Sequence, residues 1–153
     1  MDQYSALTSC LGRILLASIF LMSGVHKLMD PQGTQEFMIS MGMTTATTLF
    51  YAAAVAIEIG GGFSLLMGFM TRAGALLLAL FMIPTTLIFH SNFADPNQMI
   101  HFLKNLAITG GLLYVMTYGP GRLSVDGRSS RALLNESLMV AEEHRRRFGA
   151  TGS

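Results

Sequence analysis

Residues 47–68 read TTLFYAAAVAIEIGGGFSLLMG, an apolar run that contains one charged residue, Glu58. A helix rises about 1.5 Å per residue, so a segment of this length crosses a hydrocarbon core of about 30 Å. An isolated carboxylate at the centre of such a helix costs about 2.5–3.5 kcal/mol. The segment therefore predicts a transmembrane helix in which Glu58 faces the other helices, is protonated or has a cationic partner.

Three further segments have the same character, at residues 10–29, 73–89 and 100–118. The whole chain of 153 residues is 51% hydrophobic and only 12% charged, whereas soluble domains carry about 25% charged residues. We predict an all-α fold, a four-transmembrane-helix bundle over residues 1–128 followed by a tail at 129–153. The net charge of +1 gives no reason to expect a nucleic-acid partner; the expected surrounding is a lipid membrane.

The basic residues are distributed unequally between the two ends of this bundle. One end has only Lys27 and Lys104, and the other has Arg13, Arg72, Arg122, Arg128, Arg131 and the arginines at 145–147. Positive charge favours the cytoplasmic side of a membrane. We therefore predict a multi-pass protein of the cell (inner) membrane, with both termini and the turn between the second and third spans in the cytoplasm.

The predicted outer loop, residues 30–46, is long enough for a short helix. Phe37, Met38 and Met41 recur at helical spacing, which indicates an interfacial segment that lies over the bundle as a lid. Together with Met43, these methionines also resemble a thioether spacing that could bind copper. Because methionine is equally common as a gap-filling or lipid-facing residue, we predict no metal site.

The tail begins after the helix-stopping sequence GPG at residues 119–121. Ser130 opens an amphipathic stretch with Leu134, Leu138 and Ala141 on one stripe. We interpret it as a cytoplasmic amphipathic helix on the inner surface. The alternative is a docking helix for a partner subunit, and the arginines at 145–147 would also favour anionic lipids.

Polar residues in the spans converge on the outer half of the bundle and predict a vestibule floored by Glu58. The fourth span has four polar residues on one face, at i, i+3, i+4 and i+8. The first and third spans each end in further polar residues. They are Ser23, His26, Lys27, Thr86, His90, His101, Lys104, Asn105 and Thr109. As catalytic candidates we take Glu58, Lys104 and His90, and as ligand-binding candidates Lys27, His26, His101 and Asn105.

A purely structural interpretation of the same residues is also open. Lys27 and Lys104 lie near helix ends, where a lysine can extend its ammonium group to the interface. Glu58 paired with a lysine could be an ion pair that only sets the register of two helices. Against this, an ionisable residue within a membrane span is by default a candidate for function.

Several segments together resemble the DoxX family of small bacterial and archaeal membrane proteins. They are Arg13, GVHK at 24–27, EIGGG at 58–62, LLMG at 65–68, His90, KNL at 104–106 and GPGRLSVD at 119–126. The resemblance covers about residues 10–128 and implies a four-helix membrane bundle. Some members and relatives resemble a subunit of thiosulfate:quinone oxidoreductase, and others resemble accessory subunits that recruit a soluble oxidoreductase.

The leading hypothesis for function is therefore a quinone- or small-molecule-binding membrane protein associated with redox chemistry. Lysine, histidine and asparagine side chains could donate to quinone carbonyls, and Glu58 could exchange protons. The sequence has no haem, flavin or nucleotide motif, so a partner redox subunit would supply electrons. The chain has one cysteine, Cys10, which argues against thiol–disulfide exchange.

Two alternative functions remain open. One is a non-catalytic anchoring or accessory subunit of a larger complex. The other is a small-solute or proton carrier, which would require a homo-oligomer.

Overall fold

The structure, a computed structural model, describes residues 3–149, with side chains described as far as residue 146. Within that range the chain has six helices and no strand, so the all-α prediction is confirmed. In chain order the helices are α1 (Gln3–Met29), α2 (Pro31–Ser40), α3 (Thr47–Met67), α4 (Thr71–Phe89), α5 (Pro96–Tyr118) and α6 (Val125–Gly149).

Four of these helices, α1, α3, α4 and α5, are long and apolar enough to cross a membrane. α1, α4 and α5 begin earlier than the apolar runs predicted, at Gln3, Thr71 and Pro96. The reason is that backbone hydrogen bonding continues through polar residues that flank an apolar run. Pro84 lies inside α4, which remains one continuous helix.

Successive spanning helices run antiparallel and pack α1 on α3, α3 on α4 and α4 on α5, with α1 also contacting α5. One end of the bundle, the α2 end, has α2 and the turn between α4 and α5. The other, the α6 end, has the first turn of α1, the turn between α3 and α4, and the start of α6. Side chains from all four spans meet in the core, among them Phe20, Leu65, Leu78 and Leu112.

Glycines on α1 and α3 allow the helices to approach closely. A Cβ atom at Gly24 would lie 2.7 Å from Ile59 Cδ1, and one at Gly61 would lie 2.6 Å from Leu78 Cγ. Both distances are too short for carbon atoms in contact. Small residues at helix crossings are typical of membrane bundles, where close packing replaces the hydrophobic effect.

At the α6 end, the guanidinium group of Arg13 joins three parts of the chain. Arg13 is only 2% exposed; its Nη1 donates to Leu65 O at 2.7 Å and its Nη2 to Leu123 O at 2.6 Å. The backbone N–H of Asp126 donates to Gly68 O at 2.9 Å. The segment between α5 and α6 is therefore fixed to α1 and α3.

The side chain of Asp126 caps α4. It accepts from the backbone N–H groups of Met70 and Thr71, both at 3.0 Å, and from Thr71 Oγ1 at 2.9 Å. Because Arg13, Arg72 and Asp126 all lie at inner ends of the predicted helices, the sequence favours an ion pair of Asp126 with one of these arginines. Within residues 3–149 the side chain forms none. The unsatisfied N–H groups at the start of α4 attract the carboxylate instead.

The environment of Asp126 changes the pKa of its carboxyl group in two opposing ways. Burial raises the pKa and is the largest single contribution. The hydrogen bonds from Thr71 and Met70, with the charge of Arg13, together outweigh burial and hold the pKa below its ordinary value.

The last helix starts earlier than the sequence indicated. α6 begins at Val125 rather than Ser130, because Ser124 Oγ accepts from the N–H of Gly127 at 2.9 Å and caps the first turn. Its side chains from residue 128 to 146 are all exposed. Residues 150–153 of the predicted tail lie outside the described residues, and the predicted division at residues 128 and 129 stays a prediction.

Candidate functional site

A buried ion pair joins α1 to α3 in the half of the bundle nearer α2. Lys27 Nζ lies 2.8 Å from Glu58 Oε2 and 2.9 Å from Oε1. Ser23, one turn before Lys27, accepts from Nζ at 2.8 Å and donates to Glu58 Oε1 at 3.2 Å. The Glu58 side chain is only 6% exposed and that of Lys27 20%. The predicted cationic partner of Glu58 is thereby confirmed, and it is Lys27.

A cavity of about 700 Å³ borders this pair. Its size falls in the range of about 300–1,000 Å³ that is typical of small-molecule sites. Side chains from α1, α3, α4 and α5 form the walls, and most of them are aromatic or aliphatic. The phenylalanines that line the cavity are Phe20, Phe50, Phe81 and Phe89 on the spanning helices and Phe37 on α2.

The segment α2 and the loop after it cover one side of the cavity. Thr34, Phe37, Met38 and Met43 all line it, and Met38 is buried. The ring of Phe37 stacks on that of Phe89, with centroids 5.6 Å apart. The predicted short helix over the bundle is confirmed, with bounds Pro31–Ser40; its position at the membrane interface stays a prediction.

Asn105 and Lys104 bring polar groups to the cavity from α5. Asn105 is 8% exposed, and its carboxamide forms no hydrogen bond with any residue in the described range 3–149. Lys104 is exposed and its Nζ lies 3.1 Å from His101 Nδ1. Asn105 therefore presents to the cavity an amide that has no partner within the described residues.

His90, at the end of α4, lines the cavity too. Its Nδ1 lies 2.8 Å from Gln98 Oε1, and since a carbonyl oxygen only accepts, Nδ1 is the donor in this contact. The imidazoles of His90 and His101 stack with centroids 5.1 Å apart. His90 thus adds an imidazole to the wall formed by α4 and α5.

The structure brings five of the seven candidate residues to one cavity: Glu58, Lys27, His90, Lys104 and Asn105. His101 contacts it only through His90 and Lys104. His26 is exposed and does not line it. Neither position tests the ligand-binding role assigned to these two histidines.

Two contributors to the site were not among the candidates chosen from the sequence. Ser23 completes the hydrogen bonds of the ion pair, and its position four residues before Lys27 is a signal that could have identified it. The aromatic walls had no comparable signal, because phenylalanines in a membrane span are as often directed at lipid as at a cavity.

A second cavity, of about 540 Å³, lies at the α6 end and is lined by Arg72 and Asp126 among others. Both oxygens of Asp126 already accept hydrogen bonds from the start of α4. The charged groups of the first cavity are more deeply buried, so we place the candidate site beneath α2.

Comparison with known proteins agrees with this architecture. The family model described as DoxX matches residues 9–91, more than half of the chain. The chain belongs to the DoxX family. With its four apolar spans it is an integral membrane protein. The match includes α1 from residue 9 onward and all of α2, α3 and α4, and so Lys27, Glu58 and His90. Asn105, Lys104 and the segment 119–126 lie beyond it.

Two relatives in Escherichia coli (strain K12) extend the similarity into α5. The chain is 40% identical to inner membrane protein YqjF over 114 residues, which covers 74% of this chain and 85% of the relative. It is 33% identical to inner membrane protein YphA over 124 residues, with 77% and 87% covered. No solved structure matches the chain.

Proposed function

We propose that this DoxX protein binds a quinone, or a closely similar small ring compound, in the cavity beneath α2 and serves as a redox-associated membrane subunit. The observation that carries the proposal is the buried Lys27–Glu58 pair on the wall of an aromatic cavity. A pair with only a structural role needs no adjacent space, because empty volume beside it forfeits packing energy.

The lining of the cavity suits such a ligand. Phenylalanine side chains stack favourably on a flat ring, and the amide of Asn105 lacks a partner within residues 3–149. The volume of about 700 Å³ accepts a ring and the first part of an apolar tail.

Protons are the second requirement of quinone chemistry, because two electrons and two protons convert a quinone to a quinol. Glu58 is the carboxyl group on the cavity wall, and Lys27 and Ser23 orient it. We assign Glu58 to exchange protons with the ligand and His90 and Lys104 to relay them toward the α2 end. A partner oxidoreductase subunit would supply the electrons.

The cellular setting follows from the same proposal. YqjF and YphA are described as inner membrane proteins, and we assign this chain to the same membrane. The excess of arginine at the α6 end supports a cytoplasmic location for that end and for both termini. A cytoplasmic partner or a second copy of the chain would then contact the α6 end.

The proposal is tested by filling the cavity. Ala54 lines it, one turn before Glu58, and is 4% exposed, whereas Ala56 on the same helix is exposed and does not line it. Wild type and Ala56→Leu should retain quinone through purification, and Ala54→Leu should lose it, as measured by solvent extraction and mass spectrometry. Absence of quinone from wild type, with no binding of added short-chain quinone, would overturn the proposal.

A second candidate function is an anchoring subunit without a ligand. It is favoured by α6, whose apolar side chains, among them Leu134 and Leu138, are exposed. In that case, removal of α6 should release the partner from the membrane, while Ala54→Leu and Glu58→Gln should leave assembly and activity of the complex unchanged.

A further inference from the structure

The ion pair at the cavity has no hydrogen left to offer to a ligand. The ammonium group of Lys27 has three N–H donors, and they are directed at Ser23 Oγ and at both oxygens of Glu58, over 2.8–2.9 Å. To donate to a ligand, Lys27 would have to give up one of these contacts. The pair therefore suits proton exchange better than recognition of a ligand oxygen.

The amide of Asn105 has the opposite character. It lies on the cavity wall, more than nine-tenths of the residue is buried, and within the described residues 3–149 its two N–H donors and its carbonyl oxygen have no partner. Ile108, one turn further along α5, is in the apolar core, so this face of the helix points into the bundle. The amide is reached from the cavity, so a molecule that fills the cavity can take up its free donors and acceptor.

We propose that Asn105 is the specificity-determining residue of the site, the group that recognises the oxygen of the ligand. The inference rests on the proposed function and deepens it. An amide can donate N–H to a carbonyl oxygen or, after rotation about its last torsion, accept from a hydroxyl group. No hydrogen bond within residues 3–149 holds the amide in one orientation. Asn105 therefore holds both the carbonyl and the hydroxyl form of an uncharged ring ligand.

The test uses three probes of nearly the same shape: menadione (a methylnaphthoquinone), its quinol menadiol, and methylnaphthalene, which lacks both oxygens. Binding to the full chain in lipid nanodiscs is measured by equilibrium dialysis, with empty nanodiscs subtracted. Asn105→Leu keeps the size of the side chain and removes its polar atoms. It should lower the affinity for menadione and menadiol by roughly three- to tenfold, the range for one lost hydrogen bond. The affinity for methylnaphthalene should be unchanged.

Two further variants separate recognition from a general change of the cavity. Asn105→Gln retains an amide and should recover most of the lost affinity. Thr85→Val is the matched control: Thr85 lines the cavity, but its hydroxyl already donates to Phe81 O in its own helix at 2.9 Å. It should bind all three probes as wild type does.

The possible failures point to different conclusions. Three results would each overturn the role of Asn105. Asn105→Leu could lower the affinity for all three probes equally, or it could lower the affinity for none. Wild type could also bind methylnaphthalene as tightly as menadione. These results would leave a ring-binding cavity in place. If wild-type protein bound none of the probes, the proposed function itself would fail, and the inference with it.

Discussion

Lys27 and Glu58 form an ion pair with Nζ and Oε2 2.8 Å apart, and the pair joins α1 to α3 at the wall of a cavity beneath α2. A pair of this kind has two possible roles. It can fix the register of two helices, or it can hold a carboxylate ready for proton exchange. The first two predictions distinguish these roles.

Glu58→Gln preserves the size of the side chain and removes its charge. The variant should still fold, at a cost of about 2–3 kcal/mol in the free energy of unfolding, because the partly buried Lys27 loses its counter-ion. Redox activity that depends on proton exchange with the quinone should be abolished, because the variant has no carboxyl group on the cavity wall. Thermal unfolding of the purified variant and quinone-dependent redox activity of membranes that contain it measure the two effects. Redox activity equal to wild type, in a folded variant, would eliminate the redox role of Glu58.

Replacement of both members of the pair by apolar residues separates stability from function. Lys27→Met with Glu58→Leu leaves no unpaired charge, so the double variant should regain most of the stability that Glu58→Gln loses. It should nevertheless remain inactive. Unfolding midpoints of the two single variants and the double variant complete the cycle. Recovery of both stability and activity in the double variant would show that the pair is only structural.

The helix crossing at Gly61 supplies a prediction about packing. Gly61→Ala places a methyl group against Leu78, at 2.6 Å before relaxation, and should destabilise the bundle by about 1–3 kcal/mol. Gly60→Ala is the control on the neighbouring residue, where an added Cβ meets nothing within 4 Å. That change should leave stability unchanged or raise it slightly. The unfolding temperature of Gly61→Ala should therefore be lower than that of Gly60→Ala. Identical values would contradict the close packing of α3 against α4 at Gly61.

Asp126 should make the stability of the protein depend on pH in the acid range. Its pKa is lowered in the folded state, so its contribution is complete above the unfolded value, near pH 4, and is lost as pH falls through the folded pKa. Asp126→Ala should cost about 1 kcal/mol at neutral pH, as for the loss of a helix cap. It should also flatten this part of the curve of unfolding temperature against pH. Wild-type stability in Asp126→Ala would refute the capping role.

The orientation in the membrane can be tested by reporter fusions. A reporter after Ser153, and one in the turn before Thr71, should be cytoplasmic, whereas one in the loop of residues 30–46 should be external. The physical reason is the excess of arginine at the α6 end. A cysteine-labelling control at both ends verifies that the fusions insert normally. An external C-terminus would reverse the proposed orientation and place the cavity on the cytoplasmic side.

The sequence by itself determined the four spans, the short helix between the first two, and the need of Glu58 for a partner. These properties depend on local composition: the length of an apolar run predicts a membrane helix, and burial makes an isolated carboxylate unfavourable wherever the helix packs. Helix ends were less accurate, as at Thr71 and Pro96, because hydrogen bonding continues beyond the apolar residues.

Only the tertiary structure decided which partner each polar group has. Glu58 could have paired with Lys27, Lys104 or His90, and Asp126 with an arginine instead of the start of α4. The choice depends on the rotation of each helix about its axis and on the distance between helices, which close contacts such as that of Gly24 with Ile59 set. The unsatisfied amide of Asn105 is likewise a property of the assembled bundle, because no single helix determines whether a side chain faces a partner, lipid or an open cavity.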